Sequence, residues 1–269
     1  MAESRKVTKL FGAAGAALLA LSGAALADGY EGSVKDAPAD EGRKFTYSFS
    51  LTGTSDYVFR GYTQTDNDPT IQGAVNLGYG IFYAGAWGSG LDFGGDPAVS
   101  GSDAEVEIDW YGGIKPTWGP ATFDFGIIYY TYPGASDDPL ELDYVEFKAG
   151  VSGEVFKSLT AGATFYYSPD YTLETGETYV FEGSLAYALP TIGIFTPTVS
   201  GLVGYLDYDD SALLDYTYWN AGLSLAVEKI TFDFRYWDTD ISAADSTCAL
   251  GGLGSCDERF VFSATVTVP

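Results

Sequence analysis

The chain has 269 residues, with 37 acidic and 13 basic side chains, a formal net charge of −24 and no histidine. So acidic a chain excludes nucleic acid as a partner, because phosphate binding needs a basic surface. Without histidine there is no Ser-His-Asp triad, Cys-His pair or histidine-bound metal site, and we expect no catalytic residue, no metal and no cofactor.

The first 27 residues predict a signal peptide, removed on export. A basic start precedes a short apolar run and a small-residue cleavage site; these are Arg5, Lys6 and Lys9, residues 10–21, and Ala25-Leu26-Ala27. An uncleaved anchor is the alternative, but the apolar run is short for a bilayer span. Residues 28–44 are polar and without periodicity, which indicates a flexible leader.

From residue 45 onward, apolar and polar residues alternate with a period of two, which predicts β-strands. In the first segment Phe45, Tyr47, Phe49 and Leu51 alternate with Thr and Ser. About twelve such segments follow one another, long enough to cross a bilayer core as tilted strands. They are predicted at 45–57, 69–79, 81–92, 103–114, 121–132, 141–152, 158–168, 177–189, 196–207, 215–227, 229–238 and 258–268.

The connections after even-numbered segments are tight, whereas most of those after odd-numbered segments are longer and acidic. Short turns on one side and long loops on the other are typical of outer-membrane barrels. The sequence therefore predicts an all-β protein, a transmembrane antiparallel up-and-down β-barrel over residues 45–269, in the outer membrane of a Gram-negative bacterium. A secreted sandwich or soluble barrel is the alternative, but it would not need such uniform strands. Tryptophans at strand ends, including Trp87 and Trp237, are expected to form interfacial girdles.

If the apolar side chains face lipid, their neighbours face the lumen, where acids outnumber bases. The charged members of this inward set are Asp56, Glu105, Glu107, Asp109, Asp124, Glu146, Glu182, Asp233, Arg235 and Arg259. Rings of carboxylates favour cations, which predicts a narrow diffusion pore for small cationic or neutral solutes. Alternatively, Arg235 and Arg259 neutralise the acids in a plugged lumen, since unpaired interior charges are costly. Arg60, beyond the first strand, either folds back onto lumen acids or is a solvated loop residue.

The outer loops carry the remaining signals. Cys248 and Cys256, the only cysteines, are expected to form a disulfide that closes a small loop, with a free reactive pair as the alternative. The Asp66-Asn67-Asp68 segment lacks the spaced glycine and terminal glutamate of an EF-hand. We therefore expect such acidic loops to meet divalent ions that bridge to lipopolysaccharide phosphates. Outer-membrane lipid, lipopolysaccharide and small solutes are the expected partners, and the oligomeric state is left open.

One motif also carries a family resemblance. Ser55-Asp56-Tyr57-Val58-Phe59-Arg60-Gly61, followed by Gln64 and by residues 66–73, resembles the opening motif of the TorF-type porins of proteobacteria. Residues 82–89, 126–134 and 166–171 are similar to later blocks of that family, so the resemblance covers nearly all of the mature chain. It implies an outer-membrane barrel with a pore role and carries over no catalytic residue.

Three classes of function follow from these patterns: a passive pore, a closed barrel that serves as structural anchor or surface-binding scaffold through its acidic loops, and an enzyme. The missing histidine and the lack of a nucleophile motif argue against the enzyme. We expect the pore.

Overall fold

The computed structural model describes residues 45–93, 104–135, 141–209, 213–242 and 255–269. The predicted signal peptide (1–27), the leader (28–44) and Cys248 lie outside these described residues. Within them, no helix is both long and apolar enough to cross a membrane. A 3-10 turn, Thr172–Glu174, accompanies the strands.

The segments of alternating apolar and polar residues form strands in the structure. The strands are β1 (Phe45–Thr54), β2 (Val58–Phe59), β3 (Tyr62–Thr63), β4 (Thr70–Tyr79), β5 (Phe82–Gly90), β6 (Val106–Ile114), β7 (Thr117–Trp118), β8 (Ala121–Thr131), β9 (Tyr144–Phe156), β10 (Leu159–Ser168), β11 (Thr178–Ala188), β12 (Thr196–Tyr208), β13 (Tyr216–Val227), β14 (Ile230–Thr239) and β15 (Arg259–Val268). Apart from the two-residue strands β2, β3 and β7, each corresponds to one predicted segment.

The sheet closes on itself. Strand β1 pairs with β4 on one side and with β15 on the other, where Phe49 lies opposite Val268 and Thr54 opposite Ser263. Strand β6 pairs directly with β8, and every other long strand pairs with its neighbours in the sequence. The predicted antiparallel barrel of twelve long strands is confirmed. Closure removes the free edges that an open sheet would expose.

The two faces of the wall differ as the period of two requires. On β1, Phe45 is 64% exposed and Leu51 59%, whereas Thr52 is 4% exposed. Large apolar side chains are exposed on strands all around the barrel, among them Ile71, Phe125, Phe181, Val203 and Phe262. This outer face has the chemistry that lipid needs, and the small polar neighbours line the interior.

Two predicted strand C-termini are wrong by three or four residues. The first strand ends at Thr54 instead of residue 57, because Ser55 and Asp56 start a turn into the barrel. Strand β9 continues to Phe156 instead of ending at 152, which leaves a tight turn with Ser158 at a positive φ of 66°. Both errors lie at strand ends, where alternation alone cannot distinguish strand from turn.

The girdle prediction fails for Trp87 and Trp237. They are 3% and 1% exposed and point into the barrel, whereas Trp110 and Trp118 lie on the outer face as expected. The side of the wall is set by a residue's parity along its strand and not by its chemistry. Tyr57 shows why an indole fits inside, since its ring packs edge-on against Trp87 with 5.2 Å between centroids.

Candidate functional site

The connection after β1 turns into the bore. Its short strands β2 and β3 pair with each other across a turn formed by Arg60 and Gly61. Both turn residues have positive φ, 48° and 91°, as two-residue hairpin turns of the primed type require. Val58, Arg60 and Thr63 are buried. We call Val58–Thr63 the inward hairpin.

Arg60 at the tip of the inward hairpin binds a carboxylate on the far wall. Its Nη1 and Nη2 donate to Oε1 and Oε2 of Glu146 on β9, at 2.7 and 2.8 Å. The two side chains are 2% and 0% exposed. The rings of Phe59, Tyr166 and Tyr171 lie 4.7, 5.1 and 5.9 Å from the Arg60 guanidinium carbon. Of the two positions that the sequence allows for Arg60, the structure shows the one in which it folds back onto a lumen acid.

The base of the inward hairpin is held independently by Asp56. Its Oδ1 accepts hydrogen bonds from the hydroxyls of Thr63 and Thr65, at 2.6 and 2.9 Å. Its Oδ2 pairs with Nη1 of Arg259 on β15 at 3.3 Å, and Arg259 also donates to Asn67. The motif from Ser55 to Gly61 is thus the sequence that builds and anchors this hairpin.

At the short-turn end of the lumen, two cations share one acid. Lys115 and Lys148 place their Nζ atoms 3.5 and 3.3 Å from Oδ2 of Asp124, and the Tyr83 hydroxyl donates to Oδ1 at 2.7 Å. Burial lowers the pKa of the Lys115 ammonium to about 8, and Asp124 offsets part of that effect. Around Asp124, therefore, two ammonium groups face one carboxylate at neutral pH.

Arg235 lies flat against the wall between three strands. It pairs with Asp233 at 3.0 Å, and its Nη1 donates to the Asn220 side chain at 2.6 Å. Its Nη2 reaches Oγ of Ser200 on β12 at 3.0 Å, passing over Gly222, where a Cβ would come 3.0 Å from the guanidinium carbon. Arg235 therefore neutralises a lumen acid, which is one of the two roles that the sequence allows for it.

The same flat arrangement occurs for a tyrosine on β13. Glu182, Gly204 and Tyr218 lie opposite one another on β11, β12 and β13. The Tyr218 hydroxyl crosses Gly204 to donate to Glu182 at 2.5 Å, and a Cβ at position 204 would overlap its ring. Because only hydrogen stands at Gly204, the ring lies along the wall and does not project across the bore.

A second tyrosine repeats this geometry on the opposite wall. Asn76, Gly85 and Tyr111 lie in one row across β4, β5 and β6. The Tyr111 hydroxyl donates to the Asn76 side chain at 2.6 Å, and a Cβ on Gly85 would meet the ring. We call these two rows, with Ser200–Gly222–Arg235, the glycine rows. In each row a long inward side chain lies along the wall instead of projecting across the bore.

The inward charges predicted from the sequence are sorted along the axis. At the loop side Glu107, Asp109 and Glu146 are buried, Glu182 is half-buried, and Asp56, Arg60 and Arg259 surround the inward hairpin. At the short-turn side Asp124 and Asp233 lie among Lys115, Lys148 and Arg235. Glu105 differs from its predicted companions, because it is exposed just before β6 begins. Among these residues acids predominate at the loop side and bases at the other.

Two residues of the Arg60 environment were missed by sequence reasoning. Tyr166 and Tyr171 both belong to the motif block at residues 166–171, for which the sequence predicts no role. The signal was available for Tyr166, since it has the same parity as buried Ser168 on β10. Tyr171 lies in a loop, where no parity rule applies.

Cys256 is disulfide-bonded and buried. Its predicted partner, Cys248, lies outside the described residues, so the predicted pairing stays a prediction. Its carbonyl accepts a hydrogen bond of 3.0 Å from the Thr239 hydroxyl at the end of β14. The last long connection is thus attached to the barrel rim beside the inward hairpin, since Thr63 donates its backbone N–H to Ser255 at 2.9 Å.

A family model described as "bacterial protein of unknown function (Gcw_chp)" matches residues 36–268. No curated protein matches the chain. The solved KdgM porin has a TM-score of 0.54 at 7% identity, over 82% of this chain and 99% of that chain. A KdgM porin in complex with disordered oligogalacturonate gives 0.53 at 6% identity, over 83% and 100%, and the NanC porin 0.50 at 10%, over 82% and 99%. At these identities the likeness shows the fold, which is that of outer-membrane porins.

Proposed function

Since the chain belongs to the Gcw_chp family of bacterial proteins of unknown function and has a porin fold, we propose that it is an outer-membrane channel for passive diffusion of small cationic or neutral solutes. The observation that carries the proposal is the lumen wall, where the glycine rows keep long polar side chains flat and acids predominate at the loop side. We assign no catalytic role. Identity of this family with the TorF-type porins is part of the proposal.

The proposed solutes differ in charge from the ligand of one structural neighbour. The KdgM porin is described in complex with oligogalacturonate, which is an acidic saccharide. Here the loop-side entrance has Glu107 and Asp109 buried in its wall, and carboxylates repel anions. We propose that acidic sugars are poor solutes for this chain, and that its acidic outer loops contact lipopolysaccharide through divalent ions.

A closed barrel is the second candidate, and the inward hairpin is the observation that favours it. Tyr57, Val58 and Arg60 are buried inside the loop-side half, and Phe59 and Tyr62 pack against Tyr130 and Tyr216 across the lumen. If this hairpin never moves, the barrel serves as an anchor or a scaffold that presents its acidic loops.

Conductance of the refolded protein in a planar bilayer, with unequal potassium chloride on the two sides, tests both candidates. A steady current with a cation-favouring reversal potential supports the channel. Glu107→Gln combined with Asp109→Asn should move that potential towards zero, whereas the exposed Asp215→Asn should leave it unchanged. An anion-favouring potential would contradict the proposed selectivity. Correct insertion without any current would favour the closed scaffold.

A further inference from the structure

Resting on the proposed channel function, we infer that the wall around Glu146 is a binding site for alkylguanidinium solutes, and that Arg60 occupies it as a tethered competitor. The site consists of Glu146, Tyr130, Tyr166 and Tyr171, and we call it the guanidinium box. Arg60 belongs to the inward hairpin and is its occupant in this structure.

The box is complete for a planar, forked cation. Glu146 offers both oxygens to the two terminal nitrogens of the guanidinium, and the Tyr130 hydroxyl donates to Oε2 at 3.1 Å. The Tyr171 hydroxyl accepts from Nη1 of Arg60 at 3.4 Å, and the Tyr166 ring lies 5.1 Å away. A bidentate carboxylate with aromatic faces selects guanidinium over ammonium, which is a point charge without a fork.

The tip and the base of the inward hairpin are held by separate contacts, so loss of the tip contacts leaves those of the base in place. The tip contacts the far wall through the ion pair with Glu146 and the ring contacts around it. Asp56, Thr63 and Thr65 hold the base by separate bonds near β1. Arg60 also adopts a positive φ of 48°, a conformation that side chains other than Gly, Asn and Asp rarely take. The turn nevertheless carries arginine here, and its guanidinium group makes the two hydrogen bonds to Glu146.

A cavity of about 100 Å³ lies beside the occupant and shares Tyr171 with the box. It also adjoins Phe59, and every side chain that lines it is neutral. Most of the lining is aromatic, including Tyr62, Tyr144 and Tyr216. Aromatic faces attract organic cations, and the acids of the loop-side lumen add to that attraction. On this inference, a solute guanidinium reaches Glu146 from the cavity, past Tyr171, when the hairpin tip has left.

The test removes the tethered group and supplies it from solution. Arg60→Ala deletes the atoms that ethylguanidinium contains, so this compound should raise the melting temperature of the variant barrel at millimolar concentration. Arg60→Gly with propylguanidinium is the parallel pair, because glycine tolerates the positive φ and secures folding. Tetramethylammonium, which has the same charge but no donors, is the matched control ligand.

Three comparisons decide the outcome. The concentration for half-maximal stabilisation should rise at least about tenfold in wild type, where Arg60 competes, and in Arg60→Ala/Glu146→Gln, where the fork partner is lost. Tetramethylammonium should be weaker by a similar factor. Equal responses of Arg60→Ala and the double variant, or of the two ligands, would overturn the inference.

The same samples in a planar bilayer separate this inference from the proposed function. Arg60→Ala should conduct more than wild type and be blocked by ethylguanidinium. If Arg60→Ala conducts but neither binds the compound nor is blocked by it, the channel stands and the box is refuted. If the compound stabilises the variant while neither wild type nor variant conducts, the box stands and the channel is refuted.

Discussion

Gly61 follows Arg60 in the turn of the inward hairpin, with a φ of 91° that favours glycine. A Cβ at this position would also overlap the Thr239 side chain and lie 3.2 Å from Cβ of Tyr218. Gly61→Ala should therefore displace the hairpin tip from the wall and withdraw Arg60 from Glu146. The displaced Arg60 becomes accessible, so limited digestion with trypsin should cleave after it, whereas buried Arg60 in wild type should resist.

Gly53→Ala is the matched control for that substitution. Gly53 lies on the outer face of β1, and a Cβ there would meet nothing within 4 Å. Its digestion pattern should equal that of wild type. Continued resistance of Arg60 in Gly61→Ala would show that the turn accommodates a side chain and that the tip is held more firmly than its contacts indicate.

At the same scale, the sequence predicts that Asp56 and Glu146 lie in the lumen, but it does not predict which arginine each of them pairs with. Parity along a strand predicts which wall side a residue takes, and this information is local. The pairing of Arg60 with Glu146 joins residues 86 positions apart, through a loop whose path depends on the finished barrel. The sequence is therefore consistent with two positions of the Arg60 side chain, one folded back onto a lumen acid and one in solvent.

At the scale of neighbouring strands, the glycine rows can be tested at Gly204, which lies under the Tyr218 ring. Gly204→Ala should push the Tyr218 ring off the wall, break its hydrogen bond to Glu182 and direct the ring into the bore. Single-channel conductance should fall, because the ring then occupies part of the cross-section. Unfolding free energy should fall by about 1 to 3 kcal/mol, as overpacking of a tight contact usually costs.

Gly183→Ala is the control for that row. Gly183 is on the neighbouring strand β11, opposite Val203, and a Cβ there would meet nothing within 4 Å. Conductance and stability should stay near the wild-type values. A normal conductance in Gly204→Ala would mean that the Tyr218 ring finds another place on the wall and that the row does not set the bore.

The long strands were predictable because each one carries its own alternation, and closure followed from their even number and sorted connections. The glycine rows were not, because a row needs the register of three strands at once. Glycines such as Gly85 and Gly204 are only gaps in the alternation until Tyr111 and Tyr218 are known to lie opposite them. Two-residue strands such as β2 were hidden for a related reason, since they exist only through their mutual pairing.

Over the whole molecule, the sorted charges make the lumen bipolar, and a bipolar pore should rectify. Current should be larger when the loop side is positive, because cations then enter through the acidic half and anions through the basic half. The asymmetry should fade at 1 M salt, where the screening length is about 3 Å. Glu107→Gln/Asp109→Asn should also reduce it. A symmetric current–voltage curve at low salt would contradict the bipolar lumen.

Lys115, in the basic half of the lumen, titrates near physiological pH and makes the rectification depend on pH. Burial lowers the pKa of Lys115 to about 8, so its ammonium is charged below that pH and neutral above it. The groups facing it are Asp124 on β8, Lys148 on β9 and the Tyr83 ring on β5. As pH rises from 7 to 9, the basic half should lose one charge of the pair around Asp124. Rectification should then weaken, and selectivity for cations should increase.

Two lysine variants test this assignment. Lys115→Gln should show the weakened rectification already at pH 7 and little change up to pH 9. The exposed Lys157→Gln should follow wild type. If Lys115→Gln keeps the full pH response, another group titrates, and Lys115 does not set the charge of the short-turn entrance.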